Sequence, residues 1–428
     1  MRRAPRFETM QPPMPRPSPS PFDPTTDASE RDPVAKRLLQ AAAEEIAIHG
    51  AAAASARTIA RAAGTSPSAI NYNFDGIEHL FRTAFAGGAV QTAAWLSERA
   101  EEIAALPASP AGAVLALEYV ICEWTSGART LALLYQEALA EPVGVAPAAG
   151  WRRLWNDFWA SAADRFGLSP AEGRLLHVFF ETEALYQLST WSPALERAAL
   201  RELCEAFGAV FLGAPRQEPS GAVALAGRRA GALPVDAVPP AAIKIIEAAA
   251  AVVEDRGLGG LTHRAVAARA GVTTGSVTHH FRTIGDLVAG AIRGEVLAMS
   301  SDGLVDPSES IASPDALFES IARYTVTERP WGPALRRRQL FLTALRRPEL
   351  AGAAAVIRFA HGGTVGAMLD RLFRLSPAER SLYAGLVARV VSGSWFATAG
   401  DPAPLASQAA LVEQVELCLM RTLAPLAR

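Results

Sequence analysis

One internal repeat constrains this chain more than any other feature. The segment GAAAASARTIARAAGTSPSAINYNF, which starts at Gly50, aligns without gaps on GLGGLTHRAVAARAGVTTGSVTHHF, which starts at Gly257. Gly64 meets Gly271, Phe74 meets Phe281 and, further on, Leu80 meets Leu287. The pentapeptide LSPAE occurs at 168–172 and again at 375–379, at the same separation. A match held this far along the chain means that whole domains are duplicated in tandem. At roughly 150 residues per domain, 428 residues allow two or three domains, so each copy is large enough for more than a single motif.

Within each copy the apolar residues recur at helical spacing, and no run shows strand alternation with hairpin punctuation. The fold class expected is all-α. Pro33 to His49 reads as a helix with Asp32 as cap, Pro33 at its first position and Gly50 as its stop. A short helix capped by Ser55 runs from about Ala56 to Ala63, and Gly64 supplies the turn. A third opens with Ser66 as cap and Pro67 behind it, ends near Phe74, and precedes a longer helix starting near Ile77. The second copy offers Pro240–Arg256, a Thr262-capped Arg264–Ala270, the Gly271 turn and a Thr273-capped Thr274–His280. Two short helices joined by a tight turn form a helix-turn-helix, whose second helix fits a major groove. Ile70, Phe74, Val277 and Phe281 are its expected core, and each SPAE reads as a capping box.

These patterns place six segments. Residues 1–30 are a Pro-rich tail expected to be disordered, and 31–82 the first helix-turn-helix domain. Residues 83–213 are a first helical domain and 214–239 a linker rich in Pro, Gly and Ala. Residues 240–289 are the second helix-turn-helix domain and 290–428 a second helical domain.

Composition narrows the partners. Half of the residues are hydrophobic and the net charge is −2, so any nucleic-acid surface has to be local. Cys122, Cys204 and Cys418 have neither disulfide nor metal spacing, which fits small buried residues in a reducing compartment. Charges interrupt every apolar stretch and the N-terminus lacks an apolar signal core, so a cytoplasmic protein without membrane contact is expected. No cofactor fingerprint, phosphate loop or catalytic triad stands out, and no enzyme activity is expected. His279 beside His280 does not make a metal site, because neighbouring side chains on a helix diverge.

The two motifs, RTIARAAGTSPSAINYNFDGIEHLF and HRAVAARAGVTTGSVTHHFRTIGDLV, resemble the DNA-binding domain of TetR/AcrR-type transcriptional regulators. The helix spacing, the turn glycine, the closing Phe and the following Leu carry the resemblance, twice. It implies that each copy continues into a helical ligand-binding and dimerisation domain. It also implies that the chain is a ligand-responsive regulator, most simply a repressor, of a double-stranded DNA operator. Position by position, it assigns DNA contact in the first copy to Ser55, Arg57, Ser66, Pro67, Ser68, Asn71, Tyr72 and Asn73. In the second copy it assigns Thr262, Arg264, Thr273, Thr274, Gly275, Thr278, His279 and His280. The Lys common at the start of the fourth helix is replaced by Ile77 and Ile284. Asp75 would repel phosphate where Arg282 would attract it, so the first reader is expected to be the weaker.

Candidates for an apolar or aromatic effector pocket are Trp124, Tyr135, Trp155, Phe179, Tyr186, Tyr324, Phe341, Phe359 and Trp395. His177 and Glu181, four residues apart, suit a shared hydrogen bond or metal. Since family members pair as dimers, the two copies are expected to pair within the chain as a pseudo-dimer, with further homodimerisation open. A flexible linker of about 25 residues spans roughly 25–30 Å and gives effective concentrations near millimolar. Unlike contact residues in the two copies imply unlike half-sites. The alternative is a regulatory module in which only one copy touches DNA.

Overall fold

The computed structural model describes residues 33–140, 146–231, 240–256, 260–288, 290–291, 313–326 and 331–427. The N-terminal tail and its arginines, the proposed Asp32 cap and the end of the linker lie outside them. Among the described residues the fold is all-α, with no strand beyond an isolated bridge between Phe373 and Ala427.

The first copy begins with α1 (Pro33–His49), α2 (Ala56–Ala62), α3 (Ser68–Phe74) and α4 (Ile77–Ile103). Leu38, Ala42 and Ile46 form the buried stripe of α1, spaced to fall on one helical face. Ile59, Ile70, Phe74 and Leu80 close over it from the next three helices. A bundle follows: α5 (Pro110–Ser126), α6 (Arg129–Ala140), α7 (Ala146–Arg165), α8 (Pro170–Gln187) and α9 (Pro193–Phe211).

The second copy repeats the opening with α11 (Pro240–Arg256), α12 (His263–Ala270), α13 (Thr274–His280) and a helix α14 through 284–288. Its bundle contains α15 (Pro314–Thr325), α16 (Trp331–Leu345), α17 (Ala351–Ala360), α18 (Gly363–Leu372), α19 (Pro377–Ala397) and α20 (Pro404–Leu423). Both SPAE sequences start a helix as read: Ser169 with Glu172 and Ser376 with Glu379 form reciprocal capping boxes.

Two expectations need correction. The stretch expected to be a linker holds α10 (Ala222–Ala230), packed against α9, α17 and α19. Its Ala222, Val223 and Ala226 put one apolar face inward, and Glu202 accepts from the backbone N–H of Gly221 (2.6 Å) and Val223 (2.7 Å) to cap its start. Part of the connection is therefore a docked helix, and the estimate for a freely flexible tether of about 25 residues does not apply to it. Second, Ser66 does not cap α3. Pro67 already has helical φ and ψ, no side chain caps the helix, and the Ser66 hydroxyl lies 2.8 Å from that of Ser68.

The two bundles meet along α8 and α19. Thr182 donates to the Arg389 carbonyl at 2.9 Å, across a separation of 207 residues, the repeat interval itself. Gly393 lies so close to α8 that a Cβ there would stand 1.9 Å from the Val178 carbonyl oxygen. Ion pairs fill the same contact. Glu183 binds both Arg358 (2.8 Å) and Arg389 (2.5 Å), Glu181 binds Arg338 (3.0 Å), and Glu196 reaches Arg358 (3.4 Å). Less deeply, Glu137 holds Arg346 at 2.6 Å and also accepts from the Ala51 N–H. Among the described residues every buried pair between the bundles takes its acid from the first copy and its base from the second. Burial pushes the Glu183 carboxyl up, but Arg389 and Arg358 outweigh it and hold the group below its ordinary pKa.

Candidate nucleic-acid interface

Each reader is assembled by caps and a turn. In the first, the Ser55 hydroxyl accepts from the Thr58 N–H at 3.2 Å while the Thr58 hydroxyl accepts from the Ser55 N–H at 3.1 Å. That reciprocal box fixes the first turn of α2 and leaves the Arg57 side chain exposed on it. Ser55 itself is half-buried, with its oxygen engaged in the cap. In the second, Thr262 caps α12 through the Ala265 N–H at 3.1 Å, and Arg264 is exposed at the equivalent place. Gly64 (φ 64°) and Gly271 (φ 65°) turn the chain in the left-handed region, where a side chain would be strained.

Beyond the turn, α3 and α13 are each anchored on one side. Ile70 and Phe74 are buried in the first copy, and Val277 in the second. Phe281 is only half-buried and ends the helix in an extended conformation. On the other side of α3, Ser66, Pro67, Ser68, Asn71 and Tyr72 are exposed, Tyr72 to 88%. Asn73 differs, because its amide donates back to the Ala69 carbonyl at 2.7 Å. On α13, Thr273, Thr274, Gly275, Thr278, His279 and His280 are all exposed. Thr273 also caps the helix through the Ser276 N–H, and the two imidazoles stand edge to face at 5.2 Å. A phenol left this far in water on a seven-residue helix, above a buried Ile and Phe, has no packing role and suits a partner.

The readers diverge at their exits. Asp75 takes a left-handed conformation (φ 52°) that Asp tolerates better than most residues, and it stays exposed beside Ile77, which packs inward. In the second copy Thr283 and Asp286 form a reciprocal cap for α14, Arg282 is exposed, and Ile284 is 47% exposed. His263 donates through Nε2 to the Phe281 carbonyl at 2.7 Å, tying the start of α12 to the end of α13. Sequence reasoning passed over this positioning residue. Its signal was present, since Ala56 occupies the matching place in the first copy.

The effector candidates do not form one group. Trp124, Tyr135 and Trp155 meet in an aromatic cluster with Trp95, Trp151 and Phe180, where Trp155 and Phe180 are 4.1 Å apart. Phe179 instead packs on Phe207 at 4.7 Å. Tyr186 reaches across to Phe341 (5.2 Å) and hydrogen-bonds His361 (3.0 Å), both in the second copy. Tyr324 lies against Trp395 at 5.1 Å, and Phe359 beside Arg358 at 5.0 Å. All but Tyr324 and Phe359 are buried. His177 and Glu181 take separate partners: His177 faces Asn156 at 3.2 Å, and Glu181 accepts from Tyr135 (2.6 Å) and Arg338. Burial, with Arg174 nearby, pushes the His177 pKa down to about 3 and keeps its ring neutral. Among the described residues no cluster of three potential ligands forms a metal site, and no helix is long and apolar enough to cross a membrane.

Comparison with known families finds one matching description, bacterial regulatory proteins of the tetR family, and finds it twice, at residues 38–84 and 245–291. Both matches run from within the first helix of a copy, through its helix-turn-helix, into the opening turns of its fourth helix. No curated protein matches the chain.

Proposed function

We propose that this chain, which carries two tetR-family DNA-binding domains in tandem, is a transcriptional regulator of that family and represses by reading one operator with both domains at once. The observation that carries this reading is the division of charge in the contact between the bundles. A pair of first copies would bury Glu181 and Glu183 against their own counterparts, and a pair of second copies would bury Arg358 and Arg389 likewise. Unpaired buried charge costs several kcal/mol, so the halves are built for each other and not for themselves. The docked α10 supports pairing within one chain, because it packs on α9 of the first copy and on α17 and α19 of the second.

The exposed faces would then meet unlike half-sites: Ser68, Asn71 and Tyr72 from one reader, Thr274, Thr278, His279 and His280 from the other. Arg57 and Arg264 would hold phosphate or fork onto a guanine edge, with the Ser55 and Thr262 regions, Ser66, Pro67, Thr273 and Gly275 flanking them. A small effector in the helical bundles that prefers a spacing of the readers unsuited to DNA would release the operator by its differential binding energy.

Arg57→Ala and Arg264→Ala test the proposal separately. Each is expected to weaken operator binding by about 1–3 kcal/mol and to lower the salt slope by about one. Titrations of labelled operator at several salt concentrations measure both quantities. Loss from one substitution alone would favour the reading in which a single domain touches DNA.

A further inference from the structure

The two readers are seated on the bundles by different chemistry. Just past the end of α1, the Ala51 N–H donates to one carboxylate oxygen of Glu137, on α6, at 2.9 Å. The other oxygen takes Arg346 of the second copy, the residue after α16, at 2.6 Å. Both side chains are largely buried, Glu137 at 11% and Arg346 at 16% exposure. The guanidinium lies against the end of α1, where a Cβ at Gly50 would stand 2.9 Å from Arg346 Nη1. A cation suits that place, since the last carbonyls of a helix carry partial negative charge.

The matching places of the second reader cannot form this bridge. One repeat interval away, Ala344 corresponds to Glu137 and Leu139 to Arg346, and both are buried. Ile245, Ala249 and Val252 of α11 instead share one apolar core with Leu340, Phe341 and Ala344 of α16. In the first copy the reader core, from Ala35 to Ala84, is a cluster of its own. Ile46, Ala47 and Phe85 belong to the larger core of the bundles. Since α2 and α3 pack on α1, whatever fixes the end of α1 fixes the face that α3 presents.

We propose that Glu137 and Arg346 form a latch by which the second bundle holds the first reader in place. Both are positioning residues, and the consequence for DNA rests on the reading of the chain as an operator-binding regulator. A single charged bridge does for the first reader what a broad apolar seat does for the second. Loss of one charge therefore releases the first reader alone.

The test uses the full chain, with amide hydrogen exchange in the absence of DNA and titration of labelled operator. Arg346→Met is expected to speed exchange at Ala51 and through α2 and α3 by about tenfold, and to leave α12 and α13 unchanged. Arg346→Lys, which keeps the charge, is expected to restore part of the protection. Glu137→Gln combined with Arg346→Met leaves no lone charge at the contact, so it should fold normally with its first reader still loosened. On the operator, Arg346→Met is expected to weaken binding about tenfold. That loss should be less than additive with Arg57→Ala, because a reader that has lost its grip has less to lose by misplacement, and additive with Arg264→Ala. Unchanged exchange in α2 and α3, or equal loosening of both readers, would overturn the proposal. A loosened first reader with full operator affinity would uphold the latch and contradict the reading in which both domains bind one operator.

Discussion

Glu183→Gln is expected to lower the folding stability of the chain by about 3–5 kcal/mol, the usual cost of breaking a buried ion pair from one side. The Glu183 side chain is fully buried and serves both Arg358 and Arg389. An amide in its place removes the negative charge that both guanidiniums face; among the described residues the other acceptors are the Gly385 carbonyl for Arg389 and the longer Glu196 contact for Arg358. Urea denaturation measures the loss. Replacing the three charges together by Leu and Met is expected to recover most of it, because apolar packing substitutes well for a buried ionic cluster.

The same carboxylate sets a dependence on pH. Its folded pKa lies below its ordinary value of 4.5, since the two arginines outweigh burial. A depressed carboxylate contributes stability that is complete above its unfolded pKa and is lost as pH falls through the folded one. Glu181 has the opposite sign, because burial raises its pKa against the pull of Arg338 and Tyr135, so its protonation on acidification favours the folded state. Loss of stability in acid below about pH 4.5 should therefore belong largely to Glu183 and be blunted in Glu183→Gln.

Gly393→Ala should be nearly as damaging although it adds a single methyl. The new Cβ would stand 1.9 Å from the Val178 carbonyl oxygen and 3.0 Å from the Thr182 hydroxyl, so α19 would have to move away from α8. Overpacking of this kind costs typically 1–3 kcal/mol, and more where the obstacle is backbone. We expect about 3 kcal/mol in urea denaturation, together with weaker operator binding, because the displaced contact sets the relation between the bundles. Gly352→Ala, where a Cβ meets nothing within 4 Å, serves as the control and should be nearly neutral.

What the sequence disclosed follows from what local chemistry determines. The repeat, the capped helices, the turn glycines and the two SPAE starts were legible because each depends on residues a few positions apart. The exposed faces of α3 and α13 followed once Ile70, Phe74 and Val277 had been assigned to the core. The linker was misread because Ala, Gly and Pro suggest looseness, whereas small residues also let α10 lie close to α9, α17 and α19. The aromatic candidates were found singly but could not be sorted, since only the bundle brings Trp124 to Trp155 and separates Phe179 from them. Nothing at short range marks Glu183 as the partner of Arg389, which lies 206 residues away. A trace did exist. Arg358 in AAAVIRFA and Arg389 in LVARVVSG are single charges inside apolar runs, where burial is the default and a distant carboxylate is required.

The central claim is that one chain reads one unequal site by joining two unlike halves. Binding sites selected from random DNA, followed by the solution mass of the chain on the winning site, test it most directly. The account predicts a site with two different half-sites occupied by a single chain of 45.2 kDa. A perfectly symmetric site carrying two chains, with like copies facing each other, would contradict it.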